Sequence, residues 1–257
     1  MNRYFYNSLQ IREVFHIEFL RMLTRRIKPS FYALKGGVNM RLFFGSIRYS
    51  EDMDIDVNTV SVNVLRDTVM KIIGSVSFQN ALKSFGIEKI LPPDMAKAKQ
   101  TETTQRFKIH LLTQQGEDLY TKIEFSRRIS HGKAAVQPVP ENILRQYKMS
   151  PLIITHYDAR SAVAQKISAL ANRSAVQARD IFDLYVLSTQ LSPDDANRIK
   201  TDPATIKTAC ANIFQVGFRQ FRDTVLDYLT EEDRAGYNTP GIWDEIKLKV
   251  HDLCQSH

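Results

Sequence analysis

Residues 31–57 read FYALKGGVNMRLFFGSIRYSEDMDIDV, and the fold turns on how this stretch is parsed. A short apolar run, Phe31 to Leu34, breaks at a Lys35-Gly36-Gly37 turn. A helix-length segment follows and closes on Asp52-Met53-Asp54-Ile55-Asp56, where acidic and apolar residues alternate. On a strand, a period of two places Asp52, Asp54 and Asp56 on one face and Met53, Ile55 and Val57 on the other. Three carboxylates on one face repel each other unless a cation lies among them. A glycine turn on a neighbouring strand offers backbone amides that no side chain screens, which suits a phosphate. The stretch therefore reads as a site for metal and phosphate together.

Upstream, Ile11, Val14, Phe15, Phe19, Met22 and Leu23 recur at helical spacing, so residues 8–26 read as an amphipathic helix. Arg12, Arg21, Arg25 and Arg26 lie largely off its apolar stripe. The net charge of +7 is concentrated here: residues 1–50 hold nine Lys or Arg against Glu13 and Glu18, and the rest of the chain balances. A basic surface beside a phosphate site fits a polyanion such as RNA.

Downstream, Val62, Leu65, Val69, Ile72 and Ile73 predict one long helix over Val62 to Phe85, and Leu91 to Gln105 reads as a surface loop. Arg106 to Leu112 and Leu119 to Phe125 read as a hairpin. Alternation in its second strand puts Lys122 and Glu124 on one face, with Ile123 and Phe125 on the other. A loop-like composition over 130–151 suggests a boundary between a first domain, 1–150, and a helical domain, 151–257. No strand is expected from Thr155 onward. Helical stripes are expected instead at Ala162 to Ala171 and Ile181 to Leu187, with a third helix starting at Ser192-Pro193 and Trp243 as a core anchor.

Hydrophobic residues at 43% and charged residues at 25% describe a folded, soluble protein. No signal peptide and no membrane span are expected, and the cytoplasm is the expected compartment. Cys210 and Cys254 are too few and too far apart in sequence for a metal site or a disulfide framework, so they read as reduced thiols.

Two aspartates one residue apart on a strand, a third acid on a later strand and a glycine pair at a turn suit metal-assisted phosphoryl or nucleotidyl transfer. Magnesium is the natural ion, because it is hard and is commonly held by a few carboxylates plus substrate phosphates. No Gly-x4-Gly-Lys-[Ser/Thr] occurs, so the site is not a P-loop.

Gly36-Gly37-x-x-x-Arg41 followed by Arg48-x-Ser50-x-Asp52-x-Asp54 resembles the AbiEii-type nucleotidyltransferase toxins of the DNA polymerase β superfamily. Lys122-Ile123-Glu124-Phe125 is similar to the strand that carries the superfamily's third carboxylate. Lys166-Ile167-x-Ala169-Leu170-x-x-Arg173, then Arg179-Asp180-x-x-Asp183-Leu184-Tyr185, resembles the family's helical signature. The chain departs from the general superfamily pattern in two places: fourteen residues separate Gly37 from Asp52, and Val38 stands where Thr or Ser is usual.

The resemblance implies an α+β fold, with a polymerase β-like core on a mixed sheet followed by a C-terminal helical bundle. It assigns the metal to Asp52, Asp54 and Glu124, with Asp56 as the alternative to Asp52, and makes Glu124 the candidate base. Lys35, Gly36, Gly37, Arg48, Ser50 and Arg173 become candidate nucleotide contacts. Lys166 and Asp183 join the catalytic set, and Asp180 is a further candidate nucleotide contact that either acts at the active site, orients Lys166 or, with Arg179, ties the helices together. The implied activity is Mg²⁺-dependent transfer of NMP from an NTP to RNA, tRNA being favoured, by the toxin of a type IV toxin–antitoxin or abortive-infection pair with a cognate antitoxin. A protein-AMPylating enzyme of the same fold and a catalytically silent RNA-binding module are the alternatives; clustered carboxylates speak against the latter.

Overall fold

Asn7 caps the first helix, α1 (Ser8–Thr24): its side chain accepts from the Gln10 amide, and the Gln10 side chain accepts from the Asn7 amide in return. This reciprocal box satisfies donors that a bare helix start leaves unpaired. Ile11, Val14, Phe15, Phe19 and Leu23 of the expected stripe are buried. The computed structural model describes residues 6–127, 132–191, 199 and 201–255.

After α1 come β1 (Tyr32–Lys35), α2 (Gly36–Phe43), β2 (Met53–Val57), α3 (Val62–Ile73), α4 (Val76–Lys83) and β3 (Ile87–Leu91). Then follow β4 (Thr104–Thr113), β5 (Asp118–Ser126), β6 (Ala134–Pro138), α5 (Glu141–Gln146), β7 (Ile153–Tyr157), α6 (Ala159–Asn172) and α7 (Ala178–Ser188). The strands form one mixed sheet in the order β3-β4-β5-β2-β1-β7-β6. Antiparallel pairing of β1 with β2 sets Lys35 opposite Asp54, and parallel pairing of β2 with β5 sets Asp54 beside Glu124. Met53, Ile55, Ile123 and Phe125 fill the core from the other face with no exposure. The period-two reading of both strands therefore holds in three dimensions.

Several expectations are corrected. The single helix over Val62 to Phe85 is two, because α3 ends at Gly74 and α4 restarts after Ser75. The loop read over Leu91 to Gln105 gives up its ends to β3 and β4, the latter beginning at Thr104. The loop-like 130–151 segment contains β6 and α5, and β7 continues to Tyr157, past the point where strands were expected to end. These misses share a cause. β6 is an exposed edge strand ending in Pro138, so it has no buried alternation to display, and β7 buries four consecutive residues, Ile154 to Tyr157, so it shows no polar face.

The chain divides into two compact units, the first Met1–Leu42, Tyr49–Ser130 and Ala135–His156, the second Phe43–Arg48, His131–Ala134 and Tyr157–His257. The second is helical. In it α6 is capped by Asp158, which accepts from the Ser161 amide. Helices Pro203–Ile213, Phe218–Thr224, Glu231–Tyr237 and Pro240–Gln255 follow. Phe221 stacks on Trp243 with ring centroids 4.3 Å apart, and the Trp243 indole N–H donates to the Val216 carbonyl, which makes Trp243 the core anchor expected of it. Cys210 and Cys254, distant in sequence, meet through their thiols where the first and last of these helices pack. The helix start expected at Ser192-Pro193 lies outside the described residues. No described helix is long and apolar enough to cross a membrane.

Candidate active site

The carboxylates gather because three registers coincide. Asp54 lies between Lys35 on β1 and Glu124 on β5, and Glu124 lies opposite Arg106 on β4. Gly36 follows Lys35 with φ +68°, and a β-carbon there would sit 2.8 Å from Asp54 Oδ2. Only glycine allows this backbone to enter α2 against the carboxylate. Gly36 and Gly37 are the first residues of α2, so their amides face the end of the helix where a phosphate is favoured. Ser50 donates its hydroxyl to the Asp52 carbonyl at 2.7 Å and thereby fixes the entry to β2.

Among the described residues, every acid of this cluster but one has a cation of its own. Lys122 Nζ lies 2.9 Å from Asp52 Oδ2, Arg106 Nε lies 2.6 Å from Glu124 Oε2, and Lys35 pairs with Asp56. Asp54 is the exception. Burial raises its carboxyl above the ordinary range, Glu124 and Asp52 push the same way, and Lys35 and Lys122 only oppose this. Burial would lower the Lys122 ammonium, but the bond to Asp52 and the charges of Asp52, Asp54 and Glu124 override it and raise it. Among the described residues no three metal-ligating groups already converge into a cage. The donor set nevertheless fits a hard cation. Among the described residues, Asp52 Oδ1 is buried with no hydrogen-bond partner, and Asp54 forms no ion pair of its own, the charges of Lys35 and Lys122 being outweighed by burial and by Glu124 and Asp52.

A second cluster occupies the helical unit. Lys166 on α6 bridges Asp180 at 2.8 Å and Asp183 at 2.6 Å on α7, and Arg48 reaches the same Asp183 at 3.1 Å. Arg173, half exposed at the end of α6, pairs with Asp180 at 3.0 Å. Asp180 and Asp183 are fully buried. Burial would raise the Asp183 carboxyl, yet Arg48 and Lys166 together hold it below the ordinary range. Burial would lower the Lys166 ammonium, yet Asp180 and Asp183 raise it. Thus Arg48, Lys166, Arg173, Asp180 and Asp183, expected as separate contacts, form one ionic network, with Asp180 directly bonding Lys166.

Some supports were not foreseen. Arg106 gave no signal, because cross-strand register is invisible until the strands are paired. Glu13 on α1 binds Arg41 Nε at 2.7 Å and accepts from the Tyr147 hydroxyl, while Arg41 stacks on Tyr49 at 4.1 Å. Arg41 is thus a structural tie between α1, α2 and the segment entering β2. His16 Nε2 contacts Thr121 Oγ1 at 2.9 Å, and that hydroxyl donates to the Glu51 carbonyl at 2.7 Å. His16 must then donate, so it carries its proton on Nε2. Of the off-stripe arginines, Arg12 and Arg21 bond backbone carbonyls of Tyr120, Ser150 and Pro151, whereas Arg25 and Arg26 are exposed.

The chain thus combines a mixed α+β core with paired carboxylates beside a glycine-led helix. The family model for the nucleotidyl transferase AbiEii toxin of type IV toxin–antitoxin systems matches residues 18–238, and the chain belongs to that family. It is a nucleotidyltransferase, and the family implies a nucleotide substrate and an antitoxin partner. Its fold is similar to that of JHP933 from Helicobacter pylori, with a TM-score of 0.60 and 18% identity over 98% of this chain and 92% of that one. It is also similar to MenT4, the nucleotidyltransferase toxin Rv2826c from Mycobacterium tuberculosis H37Rv, with a TM-score of 0.57 and 15% identity over 97% and 83%. No curated protein matches by sequence.

Proposed function

We propose that the protein transfers NMP from an NTP to a hydroxyl of an RNA acceptor, tRNA being favoured, with Mg²⁺ held by Asp52, Asp54 and Glu124. One observation carries the reading: Asp54, beside Glu124 and against Gly36, is a partly buried carboxylate with no ion pair of its own among the described residues, in a chain of a nucleotidyltransferase family.

The chemistry supplied by magnesium, when bound, is neutralisation of charge on the transferring phosphate and the departing pyrophosphate. The protein's own part follows from its residues. The Gly36 and Gly37 amides, with the N-terminal end of α2, receive a phosphate group. Lys35 exchanges Asp56 for a triphosphate oxygen. Glu124, aimed by Arg106, accepts the proton of the attacking hydroxyl as its oxygen bonds to the α-phosphorus, and the bond to the β-phosphate oxygen breaks to release pyrophosphate. Lys166, Asp180, Asp183, Arg48 and Arg173 form the ionic frame of the helical unit, in which Asp180 and Asp183 orient the Lys166 ammonium. Exposed Arg25, Arg26 and Lys28 support a phosphate-rich acceptor.

Incubation with labelled NTPs, Mg²⁺ and total RNA tests the reading. Label is expected in the RNA fraction and is lost on chelation. Label on protein instead would make this an AMPylating enzyme, and RNA bound without any labelling would make it a binding module.

A further inference from the structure

The outer face of the hairpin formed by β4 and β5 carries, beyond Glu124 and Arg106, groups that the catalytic assignment leaves unused. Alternation turns Phe107, Ile109 and Leu111 fully into the core and leaves Arg106, Lys108 and His110 on the opposite face. β5 contributes Tyr120, Lys122 and Glu124 to that face, because the antiparallel register sets Arg106 opposite Glu124, Lys108 opposite Lys122, and His110 opposite Tyr120.

Like charges directly opposite each other on a sheet destabilise it. Lys122 is committed to Asp52, Arg106 to Glu124, and His110 to Asp118 at 2.9 Å. Lys108 is exposed, and none of the described residues offers it an ion pair or hydrogen bond. It is therefore a surplus cation facing another cation, two residue pairs along the ladder from Glu124 and next to it on the same face. Beside it the His110 and Tyr120 rings meet edge to face at 5.6 Å, both partly exposed. Cations interleaved with an aromatic ring on a sheet face are what a single-stranded backbone and a stacking base need.

We propose that this hairpin face seats the acceptor RNA, with Lys108 bound to a backbone phosphate next to the reacting nucleotide and Tyr120 as a platform for an unstacked base. The inference rests on the RNA-acceptor reading above and specifies where that acceptor lies. A phosphate oxygen between Lys108 and Lys122 converts their repulsion into a bridge. It also directs the strand toward Glu124, the group assigned to receive the proton.

The test compares wild type, Lys108→Ala and Lys108→Glu by steady-state labelling of RNA with NTP, at several salt concentrations. For Lys108→Ala the KM for RNA is expected to rise roughly fivefold to tenfold while the KM for NTP is unchanged. The slope of log affinity against log salt becomes shallower by about 0.7 to 1. Lys108→Glu is affected more strongly. Thermal midpoints that stay level or rise in Lys108→Ala separate this from a folding defect. Unchanged RNA kinetics in both variants, with wild type labelling RNA, would overturn the surface and leave the acceptor reading standing. A rise confined to the KM for NTP would also overturn it, by assigning Lys108 to the nucleotide. Wild type that labels no RNA would remove the acceptor reading and this surface with it.

Discussion

A β-carbon at position 36 would lie 2.8 Å from Asp54 Oδ2, so Gly36 and Asp54 are mutually exclusive with any side chain at the turn. Gly45 supplies an internal control, since it has the same φ of +68° but nothing within 4 Å of the added carbon. Gly36→Ala and Gly45→Ala should each lose about 1–2 kcal/mol from left-handed backbone strain. Only Gly36→Ala should also lose most transferase activity, because it displaces the Asp54 carboxylate. Melting curves together with an NTP turnover assay distinguish the two effects.

Asp54→Asn should abolish turnover, by more than ~100-fold given what even outer-shell metal-site changes cost, without lowering the thermal midpoint. The reason is the placement of the carboxylate, whose ionised form is opposed by burial, Glu124 and Asp52. Asparagine removes that opposition. A midpoint several degrees below wild type would mean that Asp54 supports the fold instead.

In the helical unit, Arg48, Lys166 and Arg173 face Asp180 and Asp183, leaving one positive charge in excess. Asp183→Asn raises the imbalance to two and removes one buried ion-pair partner from each of Arg48 and Lys166, which should cost about 3–5 kcal/mol. Lys166→Met makes the charges equal and should cost less. Urea denaturation of both variants checks this order.

His16 gives a pH signature. Burial and then the Arg12 charge lower its pKa from 6.5 to about 3. The unfolded chain therefore binds a proton that the folded chain refuses between these values, and stability falls as pH drops through that window. The contribution is at most about 1.4 kcal/mol per pH unit. His16→Gln should show a shallower decline in denaturation free energy from pH 6.5 downward than wild type.

Much of the carboxylate strand was legible because period two is a local property. Asp52, Asp54 and Glu124 needed only alternation and the family pattern to be singled out. The cations that pair with Asp52 and Glu124 were less accessible. Lys122 shared a predicted face with Glu124, but its bond to Asp52 depends on parallel pairing of β2 with β5, and Arg106 depends on a further antiparallel register. Lys35, expected at the triphosphate, pairs with Asp56, two residues along from the Asp54 it faces. The helical spacing of Lys166 and Arg173 was visible, whereas their capture by Asp180 and Asp183 required α6 and α7 to be packed. β6 and β7 stayed hidden because an exposed edge strand and a strand with four consecutive buried residues both lack alternation.

The assignment of Asp54 to nucleotidyl transfer is tested most directly with two forms of one substrate, NTP labelled at the α- or the γ-phosphate, incubated with Mg²⁺, total RNA and either wild type or Asp54→Asn. The expected result is acceptor labelling from the α-labelled NTP alone, in wild type alone, with stoichiometric pyrophosphate. Labelling from the γ-phosphate, or equal α-labelling by folded Asp54→Asn, would contradict it.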